Sequence, residues 1–251
     1  MKLLVIILCL LSERYLVHAA SHYRFAWFGN YVAWLNKNLS DKLGLMSHSY
    51  FALAVVVLPP VLITALVLYL FDTTLFGFIG LLLNILIFYY CLGPNNSFYP
   101  VSEKKEGESE EVEAGAYLAK VNSQLFAVIF WFIVAGPLGA LVYRLIYLSK
   151  DQEQTRASAE LIASGLDWIT SRLTLLLYML VGNFQRGFQY YSKMFFSSPA
   201  NNETLLREGG LLVAHTEGEE VVTLPYAQTL VEHALIVYLV FLAFFTLVAW
   251  L

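Results

Sequence analysis

The stretch that most constrains this chain is LFAVIFWFIVAGPLGALVYRLIYL, Leu125 to Leu148. It is apolar until Arg144, and its about 24 residues, at ~1.5 Å each in an α-helix, cover the ~30 Å of a bilayer's hydrocarbon core. Ala135, Gly136, Gly139 and Ala140 fall on four-residue spacing at its centre. That pattern leaves one helix face without bulk and suits the close approach of a second helix. Pro137 lies in the same turn, removes one backbone donor and bends the helix. A membrane helix tolerates this when a neighbour covers the freed carbonyl.

Composition extends the reading to the whole chain. Hydrophobic residues make up 59% and charged residues 14%, against roughly 25% charged in an average soluble domain. With a mean hydropathy of +0.64, this is the profile of an integral membrane protein. We expect an all-α, polytopic helical membrane protein forming a single membrane domain over 1–251. It should have about five transmembrane helices plus an N-terminal membrane or interfacial amphipathic helix. A net charge of −4 argues against a nucleic-acid partner and leaves the lipid bilayer as the first one. Cys9 and Cys91 lie in apolar runs without CxxC spacing and read as small hydrophobes. Neither a metal nor a cofactor is expected.

Residues 1–20, MKLLVIILCLLSERYLVHAA, have the basic start, apolar centre and small-residue site of a secretory signal. Glu13 and Arg14 follow directly on the apolar run, and we favour a retained membrane helix, with a cleaved signal as the alternative. In a retained helix those two ionisable groups are costly unless paired, turned to a wet cavity or snorkelled to the headgroups. From Ser21 to Leu39, Phe25, Phe28, Val32, Leu35 and Leu39 recur at helical spacing among Trp27, Tyr31 and Trp34, the pattern of an amphipathic helix at the membrane surface. Tyr50 to Phe71 reads as a span interrupted by Pro59 and Pro60. A tight turn at Asp72–Thr74 then returns Leu75 to Leu92 as the second arm of a hairpin. Residues 94–124 are acidic and are expected to form a flexible cytoplasmic loop, partly helical towards Gln124. Leu161 to Phe184 reads as a shorter span carrying Asp167 and Arg172, and 185–229 as a polar interfacial or cytoplasmic segment whose aromatics alternate with Arg186 and Lys193. Leu230 to Leu251 is a final span. The loops at 21–49, 94–124 and 185–229 hold nine Lys or Arg, against Arg144, Lys150, Arg156 and Arg172 on the other side. By the positive-inside rule the first set is cytoplasmic.

No GxSxG, HExxH or phosphate loop occurs, and His18, His22, His48, His215 and His233 form no spaced ligand set. Two runs carry more information: FAVIFWFIVAGPLGALVYRL (Phe126 to Leu145) and LDWITSRLTLLLYMLVGNF (Leu166 to Phe184). Together they resemble the paired core motifs of the AmpE family of bacterial inner-membrane proteins, within the CobD/CbiB superfamily. LLSER and the HYRFAWFGNYVAWL stretch from His22 resemble that superfamily's opening more faintly. CobD-like members carry an ENFxD-type stretch before their Phe-Trp and are associated with attaching an aminoalkyl phosphate to a corrinoid. Here Ala119, Lys120 and Ser123 stand where Glu, Asn and Asp would be, ahead of Phe130-Trp131. Amide-forming chemistry needs positioned carboxylates for Mg²⁺ and proton transfer, which this place does not offer.

The resemblance therefore implies a non-enzymatic regulatory or sensory protein of the bacterial inner membrane. It links the chain to β-lactamase induction, antibiotic resistance and cell-wall recycling, with a membrane or cell-wall-recycling protein as candidate partner. A CobD/CbiB-like cobalamin-biosynthesis synthase and a small transporter are the alternatives. Glu13, Arg14, Arg144, Asp167, Arg172 and Asn183, polar groups at or near membrane depth, are the candidates for one polar pocket between helices.

Overall fold

A computed structural model describes residues 2–16, 25–39, 49–71, 77–93, 109–215 and 221–248. They are mostly helical, joined by short turns, without a strand among the described residues, and the fold class is all-α. Among the described residues, three helices are long and apolar enough to cross a membrane: Ser49–Phe71, the run Glu110–Asp151, and Leu224–Val248. By length and composition they fit a membrane protein. The second hairpin arm is the 14-residue helix Phe78–Cys91, which at ~1.5 Å per residue falls short of ~30 Å. The Leu161–Phe184 stretch lies largely in the 26-residue helix Arg156–Val181, which carries Glu160, Asp167 and Arg172. The chain forms two compact units, Met1–Pro94 with Val128–Ala163, and Asn95–Ala127 with Ser164–Leu251.

The first unit contains α1 (Lys2–Leu16), α2 (Ala26–Leu39), α3 (Ser49–Phe71), α4 (Phe78–Cys91) and most of α6 (Ala127–Leu148). In α1, Val5, Ile6, Cys9 and Leu10 occupy one helix face and all are buried. Cys9 Sγ donates to the Ile85 carbonyl of α4 at 3.5 Å. On α2, Phe28, Val32 and Leu35 are buried and Trp34 is exposed, as the sequence periodicity requires. α3 continues through Pro59 and Pro60 and buries only Ala52, Leu53, Val56 and Val57. Leu62 and Ile63 point outward at 63% and 64% exposure, a surface that suits lipid rather than water. Against α6, Phe88 of α4 packs on Phe132 with ring centroids 4.6 Å apart. Ser49, at the start of α3, and Ser158, at the start of α7 (Arg156–Val181), share a hydroxyl hydrogen bond of 2.8 Å.

The second unit contains α5 (Glu110–Val121), a π-helical turn (Asn122–Phe126), most of α7, then α8 (Phe184–Met194), α9 (Asn202–Ala214) and α10 (Leu224–Val248). Its core is aromatic, with Phe126 5.9 Å from Tyr178 and 6.0 Å from Tyr238 between ring centroids. From Glu110 onward the acidic segment is helix, because Ala114, Tyr117, Leu118 and Val121 supply a buried face; residues 94–108 lie outside the described residues. The 185–229 segment is likewise not a loop. α9 buries Leu205, Leu206, Gly209, Gly210 and Val213. A Cβ at Gly209 would lie 2.7 Å from Leu175 of α7, and one at Gly210 would lie 3.0 Å from Leu118 of α5. The glycine pair lets α9 pack against both helices.

Candidate functional site

α6 does not run straight. At Gly136 the backbone takes φ 72° and ψ −164°, outside the helical region and open essentially to glycine alone. A Cβ there would meet nothing within 4 Å, so glycine is required by conformation and not by a neighbour. At Gly139 the requirement is steric: a Cβ would lie 2.4 Å from Ala135 Cβ and 2.8 Å from the Trp131 carbonyl oxygen, both of α6 itself. Ala135 is exposed, while Gly136 and Ala140 are buried. Gly136 and Gly139 thus shape a break in their own helix, at the turn where Pro137 is expected to bend it.

Pro137 has no N–H, so the Ile133 carbonyl loses its helical donor. Lys2 Nζ donates to that oxygen at 2.8 Å, across 131 residues of sequence. A cation at the C-terminal end of a half-helix also complements its dipole. The cover that a proline-broken membrane helix needs is thus supplied from α1.

Two more of the candidate residues lie in this unit. Arg144 is fully buried, and its Nε donates to the Cys91 carbonyl at the end of α4 at 2.7 Å, with its guanidinium 5.6 Å from the Tyr147 ring centre. Glu13 is buried on α1 at 3% exposure, one turn after Cys9. Arg14 is part of the α1 helix, and its side chain lies outside the described residues.

Asp167, Arg172 and Asn183 belong to the second unit. Arg172, on α7, is buried and ties down the chain that follows α8. Its Nε donates to the Phe195 carbonyl (3.0 Å) and Nη2 to the Ser197 carbonyl (3.0 Å) and hydroxyl (3.1 Å). Nη1 donates to Asn202 Oδ1 (2.6 Å), the Trp168 carbonyl (3.0 Å) and Ser171 Oγ (3.3 Å). The guanidinium also lies over the Trp168 ring at 4.4 Å. Around it, Trp168 Nε1 donates to the Ser197 carbonyl and Asn202 Nδ2 to the Ser164 carbonyl. This is a structural clasp, built from the planar fork that only arginine has. Asp167 accepts at its carbonyl from the Ser171 hydroxyl at 2.6 Å. Asn183 caps α8, its Oδ1 accepting from Arg186 N–H, while its own N–H donates to the Val213 carbonyl at 2.9 Å. Asn183 therefore caps a helix, whereas Arg172 holds a loop.

Sequence reasoning missed the π turn. Its first three residues, Asn122, Ser123 and Gln124, are polar and buried. Asn122 Oδ1 accepts from Thr174 Oγ1 at 2.8 Å, Nδ2 donates to Thr170 Oγ1 at 3.4 Å, and Tyr178 Oη donates to the Leu118 carbonyl at 3.1 Å. Thr170, Thr174 and Tyr178 recur every four residues on one face of α7, a spacing that marks a polar stripe. Turns of this kind occur mostly where a helix has a function beyond packing. Among the described residues no group of three His, Cys, Asp or Glu is placed to hold a metal. No family model matches this chain, and neither a curated protein nor a solved structure matches it.

Proposed function

We propose that this is a non-enzymatic regulatory or sensory protein of the bacterial inner membrane, multi-pass and AmpE-like, that acts in β-lactamase induction and cell-wall recycling. The observation that carries the reading is the interruption of the long helical run Glu110–Asp151 at two places, a π turn at Asn122–Phe126 and a break at Gly136. Backbone in sparsely populated conformations, as at Gly136, costs on the order of 1–3 kcal/mol per residue and clusters at active sites, ligand clamps and switch regions. A helix with such joints suits the transmission of a signal along its length. The regulatory branch is favoured over the synthase because the polar residues at 122–124, beside the positions where the enzymes carry acids, include Asn122, whose amide is engaged with Thr170 and Thr174.

A second reading, a small transporter, draws on the same break, since discontinuous helices build the substrate sites of many transporters. The deciding experiment is deletion of the gene in its own bacterium, with β-lactamase activity followed before and after a sub-inhibitory β-lactam. A regulator changes the induction ratio, and the wild-type gene restores it. An unchanged ratio would refute the regulatory reading, and uptake by sealed vesicles that is lost on changing Arg144 would favour the transporter.

A further inference from the structure

We propose that the outer face of α8 lies on the membrane surface and binds anionic phospholipid headgroups. α8 carries three distinct faces. The inner one packs on the unit: a Cβ at Gly187 would lie 2.5 Å from Val213 and 2.6 Å from Met179, and Tyr190 donates to Glu208 of α9 at 2.8 Å. A second face is aromatic, with Phe184, Phe188, Tyr191 and Phe195 recurring at alternating four- and three-residue spacing. Phe184 and Phe188 stack at 5.6 Å and are about half exposed, and Phe196, just past the helix, is 87% exposed. The third face is polar and exposed, and it carries Arg186 and Lys193.

Charge decides what covers the aromatic face. From Trp168 to Asn202 the sequence has no Asp or Glu, so α8 itself carries only positive charges, and the acid that meets it, Glu208 of α9, is held by Tyr190 on the inner side. Phenylalanines on one face of a short amphipathic helix and lysine and arginine on the opposite, polar face are the composition of an interfacial segment, and cations there gain from anionic lipid. The Arg172 clasp holds the Phe195 and Ser197 carbonyls, which fixes the chain around Phe196 with its ring outward. α10 of the same unit is long and apolar enough to cross a membrane, which keeps α8 within reach of a bilayer. An acidic protein surface would meet Arg186 and Lys193 equally well but would leave no use for the exposed rings of Phe184, Phe188 and Phe196.

The test uses the full-length protein with Phe188→Cys carrying an environment-sensitive fluorophore; the two native cysteines are buried. It is reconstituted in phosphatidylcholine vesicles with and without phosphatidylglycerol. The proposal expects a blue-shifted probe that is quenched by shallow nitroxide-labelled lipids and shielded from iodide, more strongly with phosphatidylglycerol. Arg186→Gln with Lys193→Gln should abolish the phosphatidylglycerol increment without changing the melting temperature. Phe196→Cys, at a more exposed position, provides the same readout if Phe188→Cys does not fold. Quenching by iodide and not by lipid would overturn the proposal, as would equal quenching in both lipids. Shielding that grows with the protein-to-lipid ratio would also overturn it, by pointing to a second copy of the chain.

Discussion

Replacing Arg172 by methionine keeps much of the side-chain volume and removes every donor of the clasp. The cost follows from which acceptors lose their partner. The Trp168 carbonyl lies within α7, and the Ser197 carbonyl still accepts from Trp168 Nε1 at 3.0 Å. The Phe195 carbonyl and Asn202 Oδ1 lose the guanidinium bonds of 3.0 and 2.6 Å. Each buried group left unsatisfied costs about 1–3 kcal/mol. Relief of the guanidinium's own desolvation offsets part of this, leaving a net loss of roughly 3 kcal/mol. For a chain of this size that corresponds to a melting point lower by roughly 6–12 °C. Arg172→Lys should fall between, because an ammonium keeps the charge but has three donors and no planar fork. Hydrogen exchange followed by mass spectrometry in detergent micelles localises the effect: residues 195–202 should lose protection first in both variants. Unchanged exchange there and an unchanged melting point in Arg172→Met would show that the bonds contribute nothing and that the clasp is not structural.

Four further perturbations test other elements. Gly136→Ala should cost about 1–3 kcal/mol for its positive φ alone, since nothing crowds the added methyl. Gly139→Ala should cost a similar amount by overpacking against Ala135 and Trp131; reaction of the buried Cys9 and Cys91 with a thiol dye on heating reads both. Tyr178→Phe removes the bond to the Leu118 carbonyl, costs about 0.5–1.5 kcal/mol, and should speed amide exchange in residues 118–126. Burial first, and then the bond to Glu208, raise the pKa of Tyr190 above the usual phenol value. A raised pKa means that this stabilisation is complete below about pH 10 and is lost as pH climbs through the folded value. Tyr190→Phe should remove a late-titrating component from the alkaline absorbance curve.

Much of the fold was legible because hydrophobic period and run length report directly on burial. α2 follows from spacing, and α3 and α10 from the length of their apolar runs. The need for a donor at the carbonyl freed by Pro137 was also legible, since the missing N–H is a local property of proline. Its supplier was not, because Lys2 lies 131 residues away. The same distance problem hid the role of Arg172, whose partners lie 23 to 30 residues downstream. α8 and α9 were read as a polar segment because their packing faces contain Gly187, Gly209 and Gly210, and glycine scores as loop even where it admits a neighbouring helix. The π turn left no trace in composition, since one extra residue in a helical turn changes hydrogen bonding without changing residue type. Small-residue spacing at 135–140 correctly marked α6 as special, yet the pattern is the same for a helix that approaches another and for one that breaks.

The most direct test of a regulator that works through its broken helix is β-lactamase induction in the deletion strain complemented with Gly136→Ala, at a membrane level matched to wild type by immunoblot. If the break is the working element, this strain should give the induction ratio of the deletion strain although the protein is present. Wild-type induction from Gly136→Ala would contradict that role for the break.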